Sequence, residues 1–466
     1  MTRSSDIPQE RLARNPLITP DGYQRLRTIL EHPAAPVWNY QVGDRLRSED
    51  LPEVARFREQ LQTGMPVYGQ LPSQSILARL EEWRQQVPLF QSHLPEGYNL
   101  QRDWGYIPTM QRADLVHRLE EMVPLDADLS RLIVYDTSGV SGHAILVPHH
   151  PCAMAKYHPL LEHILEQYGI RLAFSDQVTA CLNVGCQVST VTFGNVFSVW
   201  NQAGFAKVNL HERVWEQEKA QRFFADTAPL FLTGDPLGFG QMAAWGIETR
   251  PAAMISTAVS LTPELKRRLE AQYRCPLIDL YSSTETGPLA FSAPDGDGML
   301  LMAPDLFMEI VDSDGRPLKE GEFGEICVSG GRNPFLPLLR YRTGDFGRLV
   351  ADRLGQPRLQ DLQARQPVSF LADDGAVISM VDVARIIREW PLVQHEFVQQ
   401  ADRSCELTIQ PLAGYPVDTE CLTQKLGELF GQTVRITVVL DERLGEDRPG
   451  GKVVPFRALR EIKNGS

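Results

Sequence analysis

Short apolar runs alternate with helix-spaced apolar positions through the middle of the chain, which predicts strands separated by helices. Residues 1–125 are charged and broken by prolines, and Leu77–Val87 spaces its apolar side chains as one helix face does, so this region is expected to be largely helical. Arg131–Tyr135 is a short apolar run ahead of a Gly/Ser loop, the pattern of a buried strand. Tyr157–Tyr168 predicts a helix with Pro159 in its first turn, where a missing N–H costs little. The runs Val178–Val184, Phe231–Gly234 and Ala252–Ile255 follow, alternating with helical patterns. Thr262-Pro263-Glu264 combines a hydroxyl cap, a proline at the first helical position and an acid in the first turn. That helix feeds the strand Leu277–Tyr281. Strands alternating with helices imply an α/β fold with a partly parallel sheet, whose ligands bind beyond the carboxyl ends of the strands.

Beyond residue 300 the texture changes to antiparallel strands and tight turns. Phe307–Val311, the turn Asp314-Gly315, Gly324–Val328 and Gly347–Val350 carry it. The last hundred residues read as a small α+β unit, with a helix near Thr419–Phe430 and the strand Val434–Leu440. A boundary near Gln363–Arg365 gives a large N-terminal domain, 1–363, of mixed sheets and helices and a small C-terminal domain, 364–466. A chain of 466 residues fits this division.

Composition narrows the function classes. With 43% hydrophobic and 23% charged residues the chain can build its own cores. Its formal charge of −13 argues against a nucleic-acid surface, which needs concentrated positive charge. The 7 cysteines are odd in number and scattered, which suits a reducing compartment. Cys181 and Cys186 read as metal ligands or as small buried apolar groups, and their spacing matches no usual zinc pattern. No run approaches the ~20 apolar residues of a membrane span, and a cytoplasmic protein is expected.

Four stretches carry candidate chemistry. Asp136-Thr-Ser-Gly-Val-Ser-Gly-His143 follows a predicted strand, and its small residues would let backbone amides and hydroxyls wrap phosphate oxygens. It lacks the Lys of a Walker loop and the second glycine of a nucleophile elbow, and a plain turn reads the same way. Leu280-Tyr-Ser-Ser-Thr-Glu-Thr-Gly287 gathers a ring, several hydroxyls and one carboxylate at a strand end, enough for a magnesium ion that also takes phosphate oxygens. Leu339-Arg-Tyr-Arg-Thr-Gly-Asp345, after Gly321-Glu-Phe-Gly-Glu325, reads as a turn whose Asp could accept two sugar hydroxyls beside fixed arginine charge. Arg448-Pro-Gly-Gly-Lys-Val-Val454 places a lysine on a glycine-rich loop; a solvated tail lysine is the plainer alternative.

Taken in order, these stretches resemble the signature of the adenylate-forming (acyl-AMP) superfamily, and in particular its phenylacetate–CoA ligase branch. The resemblance implies that a carboxylate attacks the α-phosphate of ATP, and that the acyl-AMP then passes to a thiol, commonly coenzyme A. Thr137, Ser138, Gly139, Ser141 and Gly142 would hold the β- and γ-phosphates. Tyr281 would lie against adenine, with Ser282 and Ser283 beside the nucleotide. Asp345 would bind ribose, with Arg365 assisting. The catalytic set would be Lys452, bridging carboxylate and α-phosphate, Thr284 at the α-phosphate, and Glu285, the ligand of Mg2+. The acid pocket is expected between Phe193–Phe197 and segment 233–239, where Phe193, Phe197 and Phe239 could stack on an aryl or arylacetic acid or serve as plain core. A homodimer is plausible by the same resemblance.

The chain departs from the pattern at several positions. Val140 removes one hydroxyl from the phosphate loop, and Ser256-Thr-Ala258 replaces Gly-Ala-Glu, whereas Ile145, in place of the usual trailing lysine, agrees with the phenylacetate–CoA ligase branch. Ala364-Arg-Gln-Pro367 puts a proline where relatives have the acidic pivot of the small domain, and proline fixes φ. An acceptor other than coenzyme A (a carrier-protein thiol, an amine) is therefore the second reading, and a catalytically silent nucleotide-binding relative the third.

Overall fold

The computed structural model describes residues 7–63, 71–94, 96–136, 145–302, 304–363 and 368–459. Its main feature is one twelve-stranded sheet. The strands Ala203–Asn209, Thr179–Gly185, Phe231–Gly234, Met254–Ser256 and Leu277–Ser283 run parallel side by side. Phe193–Phe197 closes one edge antiparallel to Ala203–Asn209. On the other side of Leu277–Ser283 the sheet turns antiparallel through Gly287–Ser292, Met299–Leu301, Pro357–Gln363, Leu338–Ala351, Gly324–Gly330 and Leu306–Val311. Leu277–Ser283 is thus the seam between a parallel and an antiparallel half.

Helices cover the parallel half as the periodicity predicts. Pro263–Tyr273 starts at Thr262, whose side chain accepts the Leu265 N–H, and ends at Arg274 in left-handed geometry. Tyr157–Gln167 keeps Pro159 in its first turn. In the N-terminal region, Gln74–Gln86 is capped by Ser73 and buries Ile76, Leu77, Leu80 and Trp83. Two cores sandwich the parallel strands, one around Leu182, Phe223, Phe239 and Met254 and the other around Cys181, Trp200, Phe231 and Ile278. Burial of such side chains, ~1.5–3 kcal/mol each, holds the layers together.

Residues 368–459 form a second sheet, Ile436–Leu440, Cys405–Pro411, Leu392–Gln399 and Phe456–Ala458, packed with Met380–Ile387 and Thr419–Phe430 around Phe370, Phe397 and Leu426. The smaller unit abuts the parallel half: Thr262 Oγ1 donates to Trp390 O at 3.4 Å, and Glu446 meets both His211 and Arg213. Gly240 lies where any Cβ would come within 2.8 Å of Val393.

Two expectations change. Arg131–Tyr135 does not enter the main sheet. Ile133–Asp136 instead pairs antiparallel with Leu146–His149 in a separate ribbon, and Val134 is 50% exposed. Apolar composition signalled the strand but could not say how many faces it would bury. Gly347–Val350 is not a short strand either. It is the end of the fourteen-residue strand Leu338–Ala351, which absorbs the whole Leu339–Asp345 stretch. Register shifts and the positive φ of Arg340 and Gly344 bend that strand without ending it. No helix among the described residues is long and apolar enough to cross a membrane.

Candidate active site

A cavity of about 700 Å³ opens beyond the carboxyl end of Leu277–Ser283, at the seam of the sheet. Ser282, Ser283, Thr284 and Glu285 line one wall, Thr343, Gly344 and Asp345 a second, and Lys452 reaches it from the C-terminal loop. Arg112, Tyr135, His149 and Tyr157 complete the lining. Three stretches far apart in sequence therefore share one space.

The turn after the seam strand is set by its hydroxyls. Ser283 Oγ lies 2.9 Å from Thr286 Oγ1 and accepts the Thr286 N–H, while Thr286 Oγ1 donates to Gly287 O. Gly287 has φ +71°, and a Cβ there would press on the Tyr157 hydroxyl at 3.2 Å. This turn leaves Glu285 buried, with Oε1 accepting the Tyr341 hydroxyl at 2.9 Å. In the opposite sense, the Tyr281 hydroxyl donates to Asp345 Oδ2 at 2.8 Å. Each stretch thus supplies a tyrosine to the other's carboxylate. Burial, with the neighbouring carboxylates adding to it, pushes both phenols well above their usual range. Both tyrosines stay protonated donors.

The arginines of this stretch do not carry charge into the site. In a strand, alternate residues share a face, so Tyr341, Thr343 and Asp345 point one way and Arg340 and Arg342 the other. Arg340 is fully buried; it pairs with Glu309 at 2.9 Å and donates to the carbonyls of Ile107 and Gly315. Arg342 pairs with Glu325, whose other oxygen accepts the Gly344 N–H at 3.1 Å. The Gly-Glu-x-Gly-Glu segment is therefore a brace behind the Asp345 wall. Period-two alternation, applied to Leu339–Asp345, was the signal that could have shown both this and the inward place of Tyr341.

Lys452 follows Gly450 and Gly451, both at positive φ, and leads into the small sheet's edge strand Phe456–Ala458. Burial lowers its ammonium pKa, against which Asp235 acts. Asp235 caps helix Pro236–Ala244 by accepting the Gly238 N–H at 2.8 Å, and burial raises its carboxyl. His149 is held neutral, its pKa pushed by burial to about 4.

Other expected site residues lie elsewhere. Tyr281 meets the cavity through Asp345, and its ring packs beside the antiparallel core. Phe193 and Phe197 gather with Phe205 on the edge strands, Phe197 also against His158 and Trp200, and neither lines the cavity. Phe239 is fully buried core. Ile145 is buried in the N-terminal core. Ser256 Oγ is buried without a partner among the described residues, and Ala258, at φ +72°, lines the cavity. Thr137, Ser138, Gly139, Ser141, Gly142 and Arg365 lie outside the described residues. Cys181 and Cys186 are thiols pushed by burial to about 12. Among the described residues, the one group compact enough to hold a metal is Asp50, His150 and Cys152. There Asp50 already pairs with Arg131.

Comparison with known proteins fits this geometry. Residues 157–333 match the AMP-binding enzyme family. The chain is 30% identical over 139 residues to phenylacetate-coenzyme A ligase of Escherichia coli (strain K12), covering 29% of this chain and 31% of that one. It is 31% identical over 110 residues to acetyl-coenzyme A synthetase of Wolinella succinogenes, 22% of this chain and 16% of that one. The chain thus spans less than a third of the length of these curated relatives. The crystal structure of a 2-hydroxyisobutyryl-CoA ligase in the postadenylation state superposes with a TM-score of 0.60 at 16% identity, covering 83% of this chain and 90% of that one. An open conformation of the same ligase gives 0.51. Residues 157–333, which run through the seam strand and its turn, thus match the AMP-binding enzyme family, and the chain shares the fold of the 2-hydroxyisobutyryl-CoA ligase.

Proposed function

We propose that this protein activates a small carboxylic acid with ATP as an acyl-AMP and passes the acyl group to coenzyme A. The observation that carries the reading is the meeting of Glu285, Asp345 and Lys452 in one cavity. The first step needs no proton transfer, so the residues act by position and charge. Asp345, oriented by Tyr281, holds the ribose. Thr284 touches the α-phosphate. Lys452 bridges the α-phosphate and the attacking carboxylate, a contact strengthened by its partial desolvation. Glu285 with the neighbouring hydroxyls of Ser282, Ser283 and Thr284 fits Mg2+, which favours few carboxylates and hard oxygen donors. Bound there, the ion would offset charge on the phosphate oxygens. Thr137, Ser138, Gly139, Ser141 and Gly142 hold the distal phosphates, and Arg365 assists at the ribose. The likeness to phenylacetate-coenzyme A ligase favours an aryl or arylacetic acid.

One feature supports a second acceptor. Pro367 stands where a pivot residue is expected, which favours transfer to a carrier-protein thiol or an amine without a large swing of the small domain. Pyrophosphate release over a panel of carboxylic acids, with and without coenzyme A, separates the readings. A CoA thioester supports the first, a stalled acyl-AMP the second, and no release from any acid opposes both.

A further inference from the structure

The parallel half of the sheet carries a second lysine, electrostatically coupled to Lys452, that the adenylation reading leaves unused. Lys207 lies on Ala203–Asn209, in register with Asn183 on one neighbour and Phe193 on the other. Asn183 is in turn in register with Thr233, and its Nδ2 donates to Thr233 Oγ1 at 2.9 Å. Residues opposite one another in a sheet share a face. Phe193, Lys207, Asn183 and Thr233 therefore form one row near the carboxyl ends of the parallel strands. The row contains one ring, one cation and two hydrogen-bonding groups. Such a surface does not suit a wholly apolar tail.

Charge sharpens the point. Lys207 is half-buried and makes no hydrogen bond or ion pair among the described residues. Asp235 and Lys452 are its electrostatic neighbours. Asp235 is electrostatically coupled to both ammonium groups, and it already caps a helix. A partly desolvated cation without a partner carries a cost that is relieved when an anion arrives. In adenylation Lys452 serves the reacting carboxylate and the α-phosphate. Lys207 remains for something else.

We propose that Lys207 is a specificity-determining residue that binds an anionic group on the tail of the acid, so that the preferred substrates carry a second carboxylate or a comparable anion. The proposal rests on the adenylation reading. Phe193 would flank that tail, and Asn183 and Thr233 would hold it in orientation.

The test uses matched acids, phenylacetate against 4-carboxyphenylacetate and butanoate against butanedioate, with pyrophosphate release as the readout. The full-length protein is expected to favour the dianionic member of at least one pair in kcat/KM. Lys207→Met should cut the dianion-to-monoanion ratio by roughly thirtyfold or more, mainly through KM for the acid, as losing one partner of a buried charge pair does. Lys207→Arg should keep the preference. If Lys207→Met fails to fold by circular dichroism, Lys207→Gln takes its place in the same comparison. A wild-type preference for the monoanion in both pairs, or a neutral variant with an unaltered ratio, overturns the proposal while leaving adenylation intact. Release from none of the four acids counts against the adenylation reading itself, and the proposal falls with it.

Discussion

The Tyr341 hydroxyl lies 2.9 Å from Glu285 Oε1, joining a residue of a bulged antiparallel strand to the turn that ends the seam strand. Neither position is informative alone. The bond fixes where the carboxylate can be, and with the Tyr281–Asp345 bond it ties the two walls of the cavity together.

Removing that bond should weaken the site without unfolding it. Tyr341→Phe leaves a buried carboxylate short of a donor, at a cost of about 1–3 kcal/mol. We expect pyrophosphate release to fall and the magnesium concentration for half-maximal rate to shift, while the far-ultraviolet spectrum stays native. A variant with the wild-type magnesium response would show that Tyr341 does not orient Glu285.

Lys452→Ala should depress adenylation by roughly 10²–10³-fold, the range for losing one preorganised donor to a developing charge. Nucleotide binding, read by titration calorimetry with ATP, should change little. Because burial lowers the Lys452 ammonium pKa, the adenylation rate should decline with rising pH earlier than an ordinary lysine would allow. An alkaline limb identical in wild type and Lys452→Arg would contradict this.

Arg340 tests the buried ion pair on the outer face of the same strand. Arg340→Met leaves Glu309 buried and unpaired and orphans two carbonyls, so a loss of about 3–5 kcal/mol is expected. Urea denaturation reads it directly. The double variant Arg340→Met/Glu309→Gln should recover part of the loss, since the uncompensated charge is then gone. No recovery would mean that packing, and not the ion pair, dominates.

Acid should destabilise the fold before most carboxylates titrate. His149, His158 and His395 are pushed by burial from 6.5 to about 4, so the unfolded chain binds more protons between those values and stability falls as pH falls. Asp279, raised by burial to about 7, binds its proton in the folded state and works in the opposite sense over most of this range. Burial also lowers His150 and His163 and raises Asp44, Asp235 and Glu309, so five histidines act against four carboxyls and the net is about one histidine, roughly 1.4 kcal/mol per pH unit at steepest. Urea midpoints measured from pH 7 to pH 4.5 should drop, and a flat series would refute the assignment.

Much of the fold was legible because its local signals agreed with one another. Thr262-Pro263-Glu264 begins its helix as the capping pattern predicts, and Phe231–Gly234 and Thr419–Phe430 have the predicted bounds. What escaped was tertiary. Arg131–Tyr135 looked buried because apolar composition does not reveal a two-stranded ribbon with one open face. The arginines beside Asp345 looked like site charges because a bulged strand with positive φ at Arg340 and Gly344 mimics a turn in sequence. Phe239 reads in sequence as a pocket ring or as plain core, and the structure makes it core, since an aromatic residue has the same letter in both. Tyr157 carried no local signal of a site, and only the fold brings it to the cavity.

The change of strand direction at Leu277–Ser283 divides labour in the proposed enzyme. Groups that would read the acid sit on the parallel flank, and groups that would grip the sugar sit on the antiparallel flank. Substitutions on one flank can therefore retune which acid is accepted while the nucleotide grip is left in place. Such a protein should be easier to redirect toward new acids than toward a new energy source.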